Sequence, residues 1–430
     1  MEPFDPVGLL WRVASLARTL VHDDNAVALD MFRGPLPNLT VEAYQSGTPV
    51  WTWRVPNRWR VVEARLEDAA TGELLWDGLC HPLATLNYSL PFDGVVDRTT
   101  LASHLFSAPH RPQAIPFVFR FYNRDWGLCV PDAHRAKILE RDRFRVRIVT
   151  DEGPGELLVG VCTLAGTREE EFLVVTNICH PSIANDSISG AVAAVDLARH
   201  LATREKRKYT YRFLFLPETI GSIAYLAHHP ELVQRTVGGF VCEMLGNENS
   251  HCLQFTRRGD TYWDRIALAT LKEAGAPFRT AKFLASVAND EKVLDAPGVN
   301  IPTISLTRYP YPEYHTSDDN ADMIGGALLQ ESCALIRRLF DRIEDDYVPR
   351  FLAQGPICLS QHGLYPDWYK DPSLVPVWEG FLKVMYALDN RRSCEELAAD
   401  LDLPVSVVRY WTDAFAERGF VEPLLHVVSR

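Results

Sequence analysis

Short apolar runs that alternate with helical segments constrain the fold of this chain most. Between about residue 142 and residue 344 these runs are "EFLVVTN", "YRFLFLPE", "GGFVCEM" and "PTISLTR". The segment "SGAVAAVDLARHLA", which follows the first run, has alanine, valine and leucine at helical spacing. Strands separated by helices favour a largely parallel sheet that is covered on both faces. We therefore predict an α/β domain with a three-layer αβα architecture.

The residues that follow the four runs are histidines and acids. In strand order they are His180 and Asp186, then Glu218, then Glu243 close to the end of its strand, then His315. Ligands of parallel α/β sheets bind outside the carboxyl ends of the strands, so these side chains are expected at one edge. Imidazole and carboxylate are zinc ligands, and a further carboxylate beside the metal can act as a general base. The pattern predicts a zinc site with three or four ligands and one base.

Each of these residues also has an ordinary structural explanation. Asp186 and Glu218 could each cap the helix that follows, and a single histidine after a strand is usually a satisfied loop or core residue. Only their joint placement at four strand ends favours a functional site.

Substrate contacts are expected from the last strand and the loop after it. Arg308 ends that strand and could receive a substrate carboxylate or pair with a local acid. Tyr314, in "RYPYPEY", could donate a hydrogen bond to an oxyanion. Asp290 and Glu291, in "VANDEKV", are either partners of a substrate ammonium or, as the preferred interpretation, part of a solvated loop.

A tryptophan-rich region precedes the α/β pattern. Its segment "WRVVEARLEDAATGELLW" alternates apolar and polar residues around Thr71 and Gly72, which predicts a β-hairpin. Its segment "QAIPFVFRFYNRDWGLCV" predicts a second pair of strands. We predict a β-rich domain at residues 45–141, inserted into a catalytic domain that comprises residues 1–44 and 142–348.

The remaining residues, 349–430, have the pattern of a winged-helix domain, with three helices and a strand. The third helix carries Asp413 and Glu417 beside Arg409, whereas a helix that reads DNA is normally richer in lysine and arginine. A role in packing or dimerisation is therefore favoured, and nucleic acid is not an expected partner.

Composition excludes several classes of partner. The formal net charge of −12 suits neither a phosphate backbone nor an anionic membrane surface. No apolar run approaches the roughly 20 residues that span a bilayer, and the first 20 residues lack the basic start of a signal peptide. Nine scattered cysteines without a CxxC pair indicate a reducing compartment. We expect a cytoplasmic protein; a homo-oligomer is compatible with the sequence.

Several motifs resemble those of co-catalytic zinc aminopeptidases. "CHPSIANDSISG" is similar to their metal-binding loop, "FLPETIGS" to the strand end that carries the base, "CEML" to a further ligand strand, and "EYHTSDD" to the last histidine loop. A closer resemblance, over nearly the whole chain, is to bacterial aminopeptidase-like proteins with an inserted β domain and a C-terminal winged helix. "NYSLP", "IPFVFRFYNRDWGLC" and "PETIGSIAYL" also resemble signatures of that group.

The resemblance implies a role for each residue of the predicted site. His180 and Asp186 would bind one zinc ion, Asp186 could bridge to a second, and Glu243 would complete the first site. Glu218 would be the general base. His315 would belong to the second site or turn toward a single ion.

One departure from the aminopeptidase motif changes the expected metal content. Two-zinc aminopeptidases have Glu-Glu after the second strand, whereas this chain has Glu218 followed by Thr219. Since a neutral hydroxyl is a poor substitute for a carboxylate on zinc, we expect one tightly bound zinc and a second that is weak or absent.

The expected function is zinc-dependent hydrolysis of a small peptide or an amide-linked metabolite. An enzyme of the same fold with altered chemistry, such as acyl transfer in a biosynthetic pathway, is an alternative. A winged-helix regulator with a non-catalytic sensor domain is another.

Overall fold

The computed structural model describes residues 4–425, which divide into two compact units. The first unit comprises residues up to 257 and residues 277–336, and the second comprises residues 258–276 and those from 337 onward. Within the described range, no helix combines the length and the apolar character that crossing a bilayer requires.

The strands and helices are as follows. The strands are β1 Thr40–Gln45, β2 Pro49–Val50, β3 Trp53–Arg54, β4 Arg58–Asp68, β5 Leu74–Asp77, β6 Phe92–Asp97, β7 Leu105–Phe106, β8 Leu128–Cys129, β9 Arg143–Gly153, β10 Glu156–Leu164, β11 Glu171–Asn177, β12 Thr210–Leu216, β13 Thr236–Cys242, β14 His251–Gln254, β15 Phe278–Ala281, β16 Thr303–Thr307, β17 Tyr347–Phe351 and β18 Val421–Leu425. The α-helices are α1 Pro6–Ala14, α2 Asp23–Arg33, α3 Arg98–His104, α4 Asp132–Ile138, α5 Gly190–Ala202, α6 Ile220–His228, α7 Pro230–Arg235, α8 Tyr262–Ala274, α9 Glu291–Leu294, α10 Gly326–Asp345, α11 Val375–Ala387, α12 Cys394–Leu401 and α13 Val405–Glu417.

An eight-stranded sheet forms the centre of the first unit. Its strand order is β1-β10-β12-β11-β13-β16-β14-β15. The four adjacent strands β12, β11, β13 and β16 are mutually parallel, and they are the four apolar runs of the sequence. The predicted α/β class with a mostly parallel central sheet is therefore confirmed.

Helices cover both faces of this sheet. Leu173 and Val175 of β11 pack with residues of α6 and α9, among them Ile220 and Leu294. Alternate residues of a strand point to opposite faces, so Phe172 and Val174 face the other side. Helix α5 also contacts β11, but its residues are not part of the apolar cluster that contains Leu173 and Val175. It therefore covers the opposite face of the sheet. Every residue of β11 is buried, which explains why its sequence is a continuous apolar run rather than an alternating one.

A second, antiparallel sheet in the first unit has the order β5-β4-β9-β6. The predicted hairpin is confirmed, because β4 and β5 pair across a turn in which Gly72 has a φ of 75°. Strand β9 continues this sheet to Gly153, beyond the predicted boundary at residue 141, because it pairs along the length of β4.

The second predicted strand pair, in residues 113–130, is wrong. Only Leu128 and Cys129 form a strand there. The backbone of this segment bonds instead to separate loops: the Phe117 N–H donates to the His315 carbonyl at 2.8 Å, and the Arg120 N–H donates to the Asn87 carbonyl at 3.0 Å. The alternation of its side chains is therefore that of an extended loop held by tertiary contacts.

The second unit contains the three predicted C-terminal helices, which are α11, α12 and α13. Strand β18 follows them and pairs antiparallel with β17. Trp411, Phe415 and Phe381 are at the centre of their core. Arg409 of α13 lies 3.7 Å from Glu395 of α12. The expectation that nucleic acid is not a partner stays a prediction. The winged-helix assignment and the boundary at residue 349 stay predictions.

Gly190 at the start of α5 allows that helix to approach β13 closely. A Cβ atom at this position would lie 1.9 Å from the Cys242 carbonyl oxygen and 2.8 Å from the Cα atom of Glu243. The loop that carries Asp186 enters the same helix, so this contact sets the separation of Asp186 and Glu243.

We predict that Gly190→Ala lowers the free energy of unfolding by about 1–3 kcal/mol or more, because the added methyl group overpacks a backbone contact. Chemical denaturation measures the change. Gly153→Ala is the matched control, since a Cβ atom there meets nothing within 4 Å. Equal stabilities of the two variants would contradict the close approach.

Candidate metal centre

Two imidazoles and a carboxylate converge at the carboxyl edge of the parallel strands. One ligand atom of each of His180, Asp186 and His315 lies within 4.8 Å of the others. The His315 Nε2 atom is 3.1 Å from Asp186 Oδ2, and the His180 Nε2 atom is 3.8 Å from the same oxygen. His180 and Asp186 are buried, and the His315 side chain is 25% exposed. The three residues have the separation that a shared cation requires.

Glu218 and Glu243 adjoin this group. Glu218 Oε2 lies 3.9 Å from His180 Nε2. A cavity of about 160 Å³, the metal cavity, is lined by His180, Asp186, Glu218 and Glu243, among others. The structure thus brings together all five residues that the sequence placed at the sheet edge. Their individual roles stay predictions.

The loops that carry Asp186 and Glu243 are bonded to each other. The Asn185 carbonyl accepts from the Met244 N–H at 3.0 Å, and Asn185 Oδ1 accepts from the Gly246 N–H at 2.9 Å. Asp319 accepts from the Asn185 and Asp186 N–H groups, at 2.6 and 3.2 Å. The Asn185 bonds fix Asp186 relative to the end of β13, and the Asp319 bonds fix it relative to the loop after β16, which carries His315.

Arg18 holds the other side of the metal-binding loop. Its guanidinium donates to the carbonyls of Ile178, at 3.0 Å, and Ile183, at 2.9 Å, which flank His180. The side chain is fully buried, and burial lowers the pKa of Arg18 to about 10. Nothing in the sequence around Arg18 marks it as part of a site 160 residues away.

Several buried acids crowd the centre, where they repel one another when they are ionised. Burial, and then repulsion from Asp186, raises the pKa of Glu243 well above its ordinary value. The same two causes raise the pKa of Asp319 to about 7, and burial next to Glu218 raises that of Asp290 to about 7. Burial also lowers the pKa of His180, which favours the neutral imidazole that binds metals. A donor set of imidazoles and mutually repelling carboxylates fits a zinc ion.

The segment 289–291 belongs to the site, so its preferred interpretation as a solvated loop is wrong. Asp290 and Glu291 are both 0% exposed. The Asn289 amide group donates to Glu243 Oε2, and Asn289 Oδ1 accepts from Asn177 at 2.6 Å. Sequence reasoning missed Asn289; the apolar residues Val287 and Val293 on either side were the available sign of burial.

Tyr314 and Arg308, the two expected substrate contacts, lie in different surroundings. Tyr314 lines the metal cavity, and its ring stacks on His315 with 3.9 Å between centroids. Arg308 is absent from that lining and donates to the Asn249 carbonyl at 2.6 Å and to Glu331 at 3.1 Å. The geometry therefore favours the alternative of a local ion pair for Arg308, and its role toward substrate stays a prediction.

Thr219 occupies the position of the second glutamate of the aminopeptidase motif. Its backbone has a φ of 66°, and its N–H donates to Asp290 Oδ1 at 2.9 Å. Its hydroxyl lies 3.4 Å from Glu218 Oε1. A neutral group therefore stands beside Glu218 where the motif has a carboxylate.

We predict that Asp290→Asn changes the pH dependence of stability in the metal-free chain. A carboxyl group with a folded pKa of about 7 stays protonated in the folded chain but ionises on unfolding, so rising pH favours unfolding. Between pH 5 and 7 the original chain should lose up to about 1.4 kcal/mol per pH unit relative to the variant.

Chemical denaturation over this pH range measures the difference. Asp30→Asn, at a side chain that is 75% exposed, is the control and should give parallel curves. If the plot of unfolding free energy against pH for Asp290→Asn also ran parallel to that of the original chain, Asp290 would be ionised in the folded chain at pH 5.

Comparison with known proteins agrees with this fold. The family described as "Domain of unknown function (DUF4910)" matches residues 8–346. A protein of Clostridium acetobutylicum, provisionally named as a polysaccharide biosynthesis protein with an aminopeptidase-like domain, is 29% identical over 362 residues, which are 83% of this chain and 82% of that protein.

The similar solved structures include the following two. A provisionally named peptidase from Clostridium acetobutylicum has a TM-score of 0.83 and 26% identity, with 97% of this chain and 96% of that chain covered. A zinc aminopeptidase from Bacillus subtilis has a TM-score of 0.59 and 12% identity, with 80% and 95% covered. The resemblance to aminopeptidase-like proteins is thereby confirmed. The chain belongs to the DUF4910 family and has the fold of the bacterial zinc aminopeptidases.

Proposed function

We propose that this protein is a zinc-dependent hydrolase of the aminopeptidase type, which cleaves an amide bond in a small peptide or an amide-linked metabolite. The observation that carries the proposal is the cluster of His180, Asp186 and His315, whose ligand atoms lie within 4.8 Å of one another. Glu243 lines the same cavity and is the fourth candidate ligand. The chemistry supplied by a bound zinc ion is Lewis acidity, which activates water and polarises a carbonyl.

Glu218 is the proposed general base. One of its oxygens, Oε2, faces His180 at 3.9 Å, and the other, Oε1, lies 3.3 Å from Lys292 Nζ. The ammonium group of Lys292 also donates to the Ala288 carbonyl at 2.7 Å, so it holds one carboxylate oxygen in place. The free oxygen takes a proton from the attacking water and later delivers it to the leaving amine.

Two further side chains have proposed roles in the same cavity. The hydroxyl group of Tyr314 is the proposed donor to the oxyanion that forms from the substrate carbonyl. The amide of Asn289 orients the Glu243 carboxylate by donating to Oε2. Both residues line the metal cavity.

A biosynthetic role is the second candidate. The relative from Clostridium acetobutylicum is provisionally named for polysaccharide biosynthesis rather than for peptide breakdown. The same residues would then act on an amide of a polysaccharide precursor, with either water or another nucleophile as the acyl acceptor. Mass spectrometry of the products distinguishes hydrolysis from acyl transfer.

We predict that Glu218→Gln keeps the bound metal but lowers the turnover of an amide substrate by about 10²-fold or more, because the amide cannot accept the proton of water. Turnover and zinc content are measured on the same preparation. Glu417→Gln, at a side chain that is 75% exposed, is the control. Turnover of the Glu218 variant at the original rate would contradict the assigned base.

We predict that the original chain binds about one zinc ion per chain and that Thr219→Glu raises this to about two, because it restores an anionic ligand. Elemental analysis after dialysis measures the content. Thr219→Gln is the matched control, which has the same length without the charge. Two tightly held ions in the original chain would show that the hydroxyl does not weaken the second site.

A further inference from the structure

A second cavity of about 370 Å³ adjoins the metal cavity. His180 and Glu218 line both of them. The rest of the wall is largely aromatic, and we call this space the aromatic cavity, lined by Trp53, Phe117, Phe119, Phe121, Tyr122 and Arg120. A molecule in the aromatic cavity therefore reaches the proposed catalytic group.

The aromatic wall is ordered although much of it is exposed. Phe119 and Phe121 stack with 4.6 Å between centroids, and Trp53 meets Tyr122 edge-on at 5.2 Å. Trp53, Phe119 and Tyr122 are nevertheless 40%, 38% and 50% exposed. Clustered exposed aromatic side chains beside a cavity are typical of a ligand-binding surface.

This wall is tied directly to the metal centre. The Phe117 N–H donates to the carbonyl of His315, and the Phe117 ring lies 5.3 Å from the His180 ring. The loop at residues 117–122 therefore fixes the aromatic surface at a constant position relative to two candidate ligands.

The charges in the aromatic cavity are predominantly positive. Among the described residues that line it, the cations are Arg120 and Lys292, and Glu218 is the only carboxylate. Glu218 is already paired with Lys292. Within the part of the chain that the structure describes, no carboxylate lies at ion-pair distance from Arg120; its guanidinium lies 5.9 Å from the centre of the Phe106 ring. The cavity therefore has one cation without an anionic partner.

We propose that the aromatic cavity binds a substrate group that has both an apolar ring and a carboxylate, with the ring against the aromatic wall and the carboxylate at Arg120. Arginine pairs with carboxylates through two parallel hydrogen bonds, and the exposed aromatic faces remove the ring from water. As a statement about the substrate of this enzyme, the inference rests on the proposed function.

The charges of the aromatic cavity favour one class of substrate over another. A free ammonium group in this cavity would be repelled by Arg120 and Lys292. The carboxylate of Glu218, which could attract it, is already paired with Lys292. The preferred substrate is therefore an acidic amide rather than a peptide that places its free amino terminus in the aromatic cavity.

The test is a comparison of two small probes, 3-phenylpropanoate and 3-phenylpropylamine, which share a ring and differ in charge. Calorimetric titration of the full chain, with and without zinc, should show the carboxylate binding about tenfold more tightly or better in both forms. Arg120→Glu should abolish this preference, and Arg120→Lys should retain part of it. Arg12→Glu, at an exposed position outside the cavity, makes the same charge change and should bind like the original chain.

Equal or tighter binding of the amine, binding of neither probe, or an Arg120→Glu variant that keeps the preference would overturn the inference. Thermal unfolding of each variant confirms that it is folded. Because these titrations need no turnover, they are independent of the proposed function. Selective carboxylate binding by a chain that hydrolyses no amide would overturn the hydrolase and leave the assigned binding site standing.

Discussion

The repulsion between buried carboxylates is the constraint that the structure around the metal cavity has to overcome. Asp186 and Glu243 come from the ends of neighbouring strands and line one small cavity, away from water. The pKa of Glu243 is raised by burial and by the charge of Asp186, so the folded chain alone does not stabilise both ions. Two imidazoles beside them complete a donor set whose charge a divalent cation would balance.

The surrounding structure holds these acids together against their repulsion. Bonds of Asn185 join the loop after β11 to the loop after β13, and bonds to Asp319 join it to the loop after β16. Gly190 allows the following helix to touch the backbone of β13. These groups lie outside the proposed chemistry, and their contacts hold the candidate ligands at their observed separation. The centre is therefore built as much from loop-to-loop hydrogen bonds as from the ligands.

Two cavities meet at His180 and Glu218, and they differ in chemistry. The metal cavity is small and acidic, whereas the aromatic cavity is larger, with exposed rings and the guanidinium of Arg120, which has no carboxylate at ion-pair distance among the described residues. Under the proposed function, the metal cavity would cleave the bond and the aromatic cavity would recognise the substrate. The aromatic wall comes from the loop at residues 117–122 and from Trp53 of β3, both of which lie outside the parallel strands.

The sequence alone determined the order of the buried strands, because a buried parallel strand needs a continuous apolar run. It also determined which residues follow each strand, at the carboxyl edge of the sheet where ligands bind. That pattern identified His180, Asp186 and Glu218. Only the tertiary structure placed Arg18, Asn289 and Asp319 beside them and paired Arg308 with Glu331. Those contacts join loops that are distant in sequence, where no periodic signal exists, and burial of a polar side chain depends on what the rest of the chain packs around it.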